Sequence, residues 1–237
     1  MTSESAERFY HLYHQWPRAI LARMVTPYFD LDQHIAILTG PESIPDVTIS
    51  MEERKWAVHS SVIASESNFF RAALRYPFVE SQTGVIWLYE LDPELVDFAI
   101  HYMYNTDFDN AARRVWNHPG SAVPPQTTAD ILVVADYLDM PGLMYRAYHT
   151  LVTGMARLAA RKSQVGPAYA GESCPIDYLG AAGILEDSAT MVGLDLGEHI
   201  RTLAAKLSKA RSFAKARDAF KEVFPDEKAI FDAELAR

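Results

Sequence analysis

Residues 46–70 read DVTISMEERKWAVHSSVIASESNFF, and their hydrophobic period changes from that of a strand to that of a helix. The alternation in Val47–Met51 predicts a half-buried strand, and Lys55–Val58, after a polar turn, predicts its hairpin partner. The following residues predict two short helices, of which the second is capped by Ser67 and buries Phe70. A hairpin that leads into a helix pair indicates an α+β domain.

The pattern downstream of this stretch continues with another strand and more helices. Val85–Tyr89 is an apolar run of strand length. Asp92-Pro93-Glu94 combines a capping Asp, a Pro at the first helical position and an acid in the first turn, so we expect a helix to start there. Residues 109–127 contain Pro and Gly and show little periodicity, which predicts an exposed loop. Thr128 is predicted to cap the next helix, and one more helix follows Pro141.

The composition is that of a globular protein. The chain has 237 residues, 49% hydrophobic and 22% charged, so we expect a packed core. A net charge of -9 and a pI of about 5.3 argue against a chain-wide attraction to nucleic acid or to an anionic membrane. The single cysteine, Cys174, can form no disulfide within the chain, which favours a reducing compartment. Because no apolar run is long enough for a signal peptide or a membrane span, we expect an intracellular protein, in the cytoplasm or the nucleus.

Five segments in this order resemble a BTB/POZ domain, particularly the stand-alone kind common in fungi. They are Asp46–Ile49, Val58–Phe70, Phe78–Ile86, Asp92–Phe108 and Ala135–Leu143. The resemblance implies an α+β BTB/POZ fold, a small β-sheet flanked by helices, followed by an α-helical C-terminal region.

The resemblance also divides the chain into three parts. We expect an N-terminal helical extension over residues 1–44 and a BTB/POZ domain over residues 45–155, with a loop insert at about 109–127. A helical C-terminal region is expected over residues 156–237. Residues 33–38, QHIAIL, are either the N-terminal strand that animal BTB dimers exchange or an internal strand.

The family implies a non-enzymatic module that forms dimers and recruits other proteins. Many members are substrate adaptors of cullin-type ubiquitin ligases, and others recruit transcriptional co-repressors. Adaptors carry a hydrophobic-x-Glu tripeptide after the helix pair, and Phe78-Val79-Glu80 matches it. The family's structural motif is carried by Asp46, His59 and Phe70. In repressor-type members a basic residue follows the His, whereas Ser60 stands there, which disfavours the co-repressor role.

No group of residues predicts a catalytic, cofactor or metal site. His59 would need a nucleophile and an orienting group to act as a base, and a histidine that holds the strand–helix corner is favoured. His11 and His14 lie three apart on a predicted helix, but zinc requires three or four ligands. Cys174 is a lone thiol with no activating partner in the sequence. We therefore expect no enzyme activity, no cofactor and no metal.

The C-terminal region leaves a second function open. Helices are predicted near 176–186, 195–222 and 226–236. The second of them is basic, with Arg201, Lys206, Lys209, Arg211, Lys215, Arg217 and Lys221. A nuclear scaffold or transcription-associated protein could contact nucleic acid or acidic partners through such a helix. A solvated face of a packed helix is favoured, because an apolar stripe runs along the same segment.

Overall fold

The computed structural model describes most of the chain from residue 44 onward. The described residues are 44–51, 54–75, 77–116, 123–161, 175–188, 196–210, 212–227, 229–230 and 232. They belong to two compact units, one containing 44–116 and 134–144 and the other containing 123–133 and 145–232. The predicted N-terminal extension, including the strand candidate at 33–38, lies outside the described residues.

The first unit is built on a three-stranded sheet in the order β2-β1-β3. Strand β1 (Val47–Met51) pairs antiparallel with β2 (Arg54–Val58), which confirms the predicted hairpin. Strand β3 (Val85–Trp87) pairs with β1 in parallel, with Ile86 opposite Ile49. Both of these isoleucines are buried, since one face of the sheet packs on the core.

Five helices accompany the sheet in this unit. They are α1 (Ser60–Glu66), α2 (Asn68–Arg75), α3 (Val79–Thr83), α4 (Pro93–Asn105) and α5 (Phe108–Trp116). Two predicted caps are confirmed by their hydrogen bonds. The Phe70 N–H donates to Ser67 Oγ at 3.1 Å, and the Glu94 N–H donates to Asp92 Oδ1 at 2.7 Å. Each side chain satisfies a helix donor that has no intrahelical acceptor.

The prediction of a loop over residues 109–127 is wrong for its first part, because Phe108–Trp116 is the helix α5. Phe108, Ala111 and Ala112 are buried at helical spacing, and the Trp116 ring stacks on Phe98 at 5.3 Å. The prolines and glycine that suggested a loop all follow this segment. The short apolar side chains of the two alanines make a weak hydrophobic period that sequence inspection misses.

The next helix, α6 (Pro125–Tyr137), starts before the predicted cap at Thr128. The Thr128 hydroxyl donates to the Pro124 carbonyl at 2.9 Å, so this residue lies inside the helix and does not cap it. Pro125 occupies the first helical position, where its missing N–H costs nothing. Helix α7 (Pro141–Arg161) follows, and the predicted domain boundary at residue 155 falls within it.

The C-terminal region is helical, as expected. It contains α8 (Pro175–Asp187), α9 (Leu196–Lys209), α10 (Phe213–Val223) and a 3-10 turn (Pro225–Glu227). The expected single helix over 195–222 is wrong, because Ser212 caps a new helix by accepting from the Lys215 N–H at 3.4 Å. A serine side chain that bonds the nearby backbone favours such a restart over a continuous helix.

Packing in this second unit joins distant parts of its sequence. The Tyr148 hydroxyl hydrogen-bonds Glu227 Oε1 at 3.0 Å, and both residues are buried. The predicted apolar stripe of α9 is buried as well, at Leu196, Ile200, Leu203 and Leu207. Over the described residues, none of the helices has the length and apolar character that a bilayer span requires. The predicted α+β class with a helical C-terminal region is thus confirmed.

Candidate protein-interaction surface

The tripeptide Phe78-Val79-Glu80 forms the start of α3. Phe78 is the N-cap residue, with extended backbone angles, and Val79 and Glu80 lie in the first turn. The side chains of Phe78 and Val79 are 52% and 70% exposed. Two adjacent apolar side chains are therefore presented to solvent, with a carboxylate beside them.

The side chains of α3 hold its short backbone in place. The Ser81 hydroxyl donates to the Phe78 carbonyl, and the Thr83 hydroxyl donates to the Val79 carbonyl, both at 2.9 Å. The Gly84 N–H closes the helix on the Glu80 carbonyl at 2.9 Å. An isolated helix of five residues is unstable in water, so these bonds and the adjoining strand fix the geometry of the tripeptide.

Gly84 connects this helix to the sheet. Its carbonyl accepts a hydrogen bond from the Thr48 N–H at 2.8 Å, and its φ of 67° lies in the left-handed region. A Cβ at this position would lie 3.3 Å from the Asp46 carbonyl oxygen. Glycine tolerates both the backbone angle and the close approach, so the end of α3 lies against the start of β1.

Asp46 caps α1 from the beginning of the first strand. Its Oδ1 accepts from the Ser60 N–H at 2.7 Å, and its Oδ2 accepts from the Ser60 hydroxyl at 2.6 Å. Partial burial raises the pKa of Asp46. The hydrogen bonds from Ser60 and the electrostatic effect of the adjacent His59 together lower it by more, so the pKa lies below its ordinary value. The serine that stands in place of a basic residue thus binds the carboxylate itself.

His59 holds the corner between β2 and α1. Its N–H donates to the Tyr104 hydroxyl at 2.8 Å, and its ring Nδ1 lies 2.8 Å from the same oxygen. The two rings meet edge to face at 5.9 Å. Burial raises the pKa of Tyr104, the His59 N–H lowers it in part, and the charge of Asp46 raises it. The phenol therefore stays protonated as it accepts from the backbone.

Phe70 lies in the core on α2 and is fully buried. Its ring contacts the neighbouring Phe69 edge to face at 5.3 Å. The cap of the same helix, Ser67, donates its hydroxyl to the Leu138 carbonyl. These contacts tie α2 to the end of α6 and give Phe70 a packing role.

The structure thus brings part of the predicted motif together. One hydrogen-bonded corner contains Asp46, Ser60, His59 and Tyr104. Asp46 directly precedes β1, and the end of α3 bonds to that same strand. Tyr104 was not predicted from the sequence, because it is 45 positions from His59 and has no local signal. Its role depends on the tertiary fold alone.

Two exposed aromatic side chains were also missed. Trp87 is 51% exposed and Tyr89 is 65% exposed, whereas Ile86 and Leu88 are buried. Val85–Tyr89 alternates inward and outward, as a strand at a sheet surface should. All five residues are apolar or aromatic, so the sequence does not show which of them point outward.

Three of the basic residues on the C-terminal helices form ion pairs with acids on the surface. Arg201 pairs with Glu186, and Lys206 Nζ lies 2.6 Å from Glu222 Oε2. Arg217 Nη2 lies 3.0 Å from the Asp218 carboxylate. Arg211 lies outside the described residues. A phosphate would have to compete with these carboxylates for the cations, which disfavours a nucleic-acid surface on these helices.

Within the described residues, no three His, Cys, Asp or Glu side chains are placed to hold a metal ion. His11, His14 and Cys174 lie outside the described part of the chain, so their predicted lack of a role stays a prediction.

A family model for the BTB/POZ domain matches residues 38–153. The chain contains a BTB/POZ domain. The matched residues include β1 to β3, α1 to α6 and most of α7, so the resemblance noted from the sequence is confirmed. A BTB domain is a protein–protein interaction module.

A curated plant protein shares this BTB domain. It is the BTB/POZ and MATH domain-containing protein 6 of Arabidopsis thaliana, 25% identical over 108 residues. The similar segment is 46% of this chain and only 26% of the plant protein. The likeness therefore covers about a quarter of that relative.

Proposed function

We propose that the protein is a dimerising, non-enzymatic interaction module that acts as a substrate adaptor of a cullin-type ubiquitin ligase in the cytoplasm or nucleus. The cullin would bind through Phe78-Val79-Glu80. The observation that carries this proposal is the exposure of Phe78 and Val79 on a short helix whose backbone is fixed by hydrogen bonds. A fixed backbone lowers the entropy lost when a partner docks.

The chemistry of the tripeptide suits a small binding centre. An exposed aromatic side chain can fill an apolar pocket of the partner, where most of the binding energy is gained. The carboxylate of Glu80, two positions on, can pair with a cation at the rim and set the register. The predicted site residues Phe78, Val79 and Glu80 therefore have separate roles, two as apolar anchors and one as a charged contact.

The corner around Asp46 supports the adaptor role over the co-repressor role. In the repressor type the Asp works with a basic residue, whereas here its carboxylate is occupied by Ser60. We propose that Asp46, His59 and Phe70 maintain the fold and do not contact the partner. We further propose that residues 45–155 form the BTB domain and that the helices of 156–237 position or recruit other proteins.

Binding of the purified chain to the BTB-binding cullin of its own organism tests the proposal. We expect Phe78→Ala and Glu80→Ala each to weaken binding, Phe78→Ala by at least about 30-fold as for an interface hot spot. Tyr89→Ala is the matched control, because it removes an exposed aromatic outside α3. Circular dichroism would establish that each variant is folded.

Two results would overturn the adaptor role. One is a folded wild-type chain that does not bind the cullin. The other is binding that Tyr89→Ala weakens as strongly as Phe78→Ala does, because the tripeptide would then not be the binding centre.

A further inference from the structure

We propose that the outer edge of β3 is a self-association surface, where two copies of the chain pair β3 antiparallel about a twofold axis at Trp87. This inference rests on the proposed dimerisation and names its surface, but it does not depend on cullin binding. In the described sheet, whose order is β2-β1-β3, both β2 and β3 have a neighbour on one side only, and Trp87 and Tyr89 make β3 the edge with exposed aromatic side chains.

The hydrogen bonds of β3 identify which of its main-chain groups face outward. The Thr48 N–H donates to the Gly84 carbonyl, and the Leu88 N–H donates to the Ser50 carbonyl. Even-numbered residues of this strand therefore direct their main-chain groups toward β1, since a parallel ladder uses alternate residues. The N–H and carbonyl of Trp87 consequently point to the open edge.

Within the part of the chain that the structure describes, this edge lacks the usual protection against pairing. Exposed edge strands commonly carry a lysine, a proline or a bulge. Val85–Tyr89 contains neither residue, and its strand part, Val85–Trp87, pairs with β1 in regular register. Instead, Trp87 and Tyr89 stand on its outward face with more than half of each side chain exposed. The short length of β3, three residues, limits the pairing.

A second copy matches this edge in both hydrogen bonds and side chains. In an antiparallel arrangement centred on Trp87, each Trp87 exchanges an N–H···O bond with Trp87 of the second copy. Val85 then lies opposite Tyr89 of the second copy, which is a favourable cross-strand pair. A register shifted by one residue would place Ile86 at the axis. This register is unfavourable, because the main-chain groups of Ile86 already bond β1.

The charges near the edge are compatible with this register. The residues around the axis, Val85–Tyr89, carry no charged side chain, and the first acid after them, Glu90, has a φ of 59° and lies beyond the extended strand. A chain with a net charge of -9 can therefore approach a second copy here without placing like charges face to face.

The expected interface is small, so the association should be reversible. At about 200 Å² for each fully buried aromatic, the exposed parts of Trp87 and Tyr89 on two copies supply roughly 500 Å². Stable complexes bury about 1,200 Å² or more, so the strand pairing should appear only at high protein concentration.

Sedimentation velocity of the full chain over a range of concentrations tests the proposal. We expect a concentration-dependent larger species in the wild type, and we expect Trp87→Lys to raise its dissociation constant at least about tenfold by placing two cations together at the axis. Ile44→Lys is the matched control, because Ile44 is also an exposed apolar side chain and lies outside β3. Circular dichroism would verify the folding of both variants.

Cysteine cross-linking tests the register directly. In a Cys174→Ser background, which removes the native thiol, Trp87→Cys would place two Cα atoms about 5.5 Å apart at the axis, within disulfide range. We expect oxidation to give a covalent dimer, whereas Lys55→Cys, on the strand β2 at the other side of the sheet, should stay monomeric.

Three outcomes would overturn the proposal. They are no concentration-dependent species in the folded wild type, the same self-association in a folded Trp87→Lys variant, and equal cross-linking through Lys55→Cys. Cullin binding depends on the Phe78 variants and self-association on the Trp87 variants, so either proposal can fail without the other.

Discussion

The Asp46 carboxylate and Ser60 are joined by two hydrogen bonds, one from the Ser60 N–H at 2.7 Å and one from its hydroxyl at 2.6 Å. The carboxylate comes from the residue before β1 and caps a helix that begins 14 positions later. The cap residue of that helix, His59, makes no side-chain cap bond of its own. Asp46 therefore links the first strand to the first helix through an ionised group at the helix N-terminus.

Asp46→Ala should destabilise the fold by about 0.5–2 kcal/mol at neutral pH, because α1 loses its cap. The pKa of Asp46 is lower in the folded chain than in the unfolded chain, so its contribution is present above the unfolded pKa of about 3.9 and is lost as the pH falls through the folded value. Urea denaturation at pH 7 and near pH 3 checks both points. Equal stability of the wild type and Asp46→Ala at pH 7 would contradict the capping role.

Tyr104→Phe should cost about 1 kcal/mol of unfolding free energy, because the His59 N–H loses its acceptor in a part-buried corner. Tyr89→Phe is the control, since it removes an exposed hydroxyl and should change stability little. Denaturant titrations of both variants measure the difference. If Tyr104→Phe lowers the free energy of unfolding as little as Tyr89→Phe does, water must accept the hydrogen bond of the His59 N–H in place of the phenol.

Glu66→Gln should raise the melting temperature near pH 7. Burial raises the pKa of Glu66, and the Arg71 guanidinium lowers it only in part, so the pKa lies above its ordinary value. A carboxyl of this kind stabilises the fold below its unfolded pKa of about 4.3, and that contribution is lost as the pH rises through the folded value.

Thermal melts of the Glu66→Gln variant and the wild type at a series of pH values test this sign. The advantage of the variant should be present at pH 7 and disappear in acid. Glu90→Gln, at an exposed bend, is the matched control for removing a carboxylate charge. A melting temperature for Glu66→Gln below that of the wild type at pH 7 would mean that the carboxylate contributes through its electrostatic attraction to Arg71.

Two helical glycines should respond in opposite ways to alanine. Replacing glycine by alanine inside a helix raises the free energy of unfolding by up to about 1 kcal/mol. Gly183→Ala should realise this gain, because nothing lies within 4 Å of the added Cβ. Gly154→Ala should instead destabilise by about 1–2 kcal/mol, since its Cβ would overlap the Tyr178 hydroxyl and the overpacking cost exceeds the gain.

A double substitution isolates that overlap. Without the hydroxyl, the nearest Tyr178 atom to the added Cβ is the ring carbon Cζ at 3.2 Å. We therefore expect Tyr178→Phe to recover part of the stability lost in Gly154→Ala, as measured by urea denaturation of the full cycle. If the stability losses of Gly154→Ala and Tyr178→Phe simply add, the Tyr178 hydroxyl is not the cause of the destabilisation in Gly154→Ala.

The strand hairpin and the helix starts were predictable because their signals are local. Ser67 and Asp92 bond N–H groups within three residues of themselves, so their caps depend on short-range chemistry. The errors came where local signals were weak. Helix α5 buries small side chains that give little hydrophobic contrast, and Ser212 interrupts a segment whose charges and leucines continue the helical period.

The candidate site was predictable only in part for the same reason. The match of Phe78-Val79-Glu80 could be found in the sequence, but its exposure depends on how α3 packs against the sheet. The partners of His59 and the outward position of Trp87 required the fold, because the first is a contact across 45 positions and the second depends on strand register.

By itself, the sequence determined the fold class and most of the order of strands and helices, because hydrophobic period, capping residues and turn chemistry act over a few neighbouring positions. The interaction family came from the resemblance of five segments to a BTB/POZ domain. Only the tertiary structure decided which side chains form surfaces. It placed Ser60 on Asp46, Tyr104 on His59, and Trp87 at an open edge of the sheet. Such contacts depend on where separate segments meet in space, and the spacing of residues along the chain does not determine that.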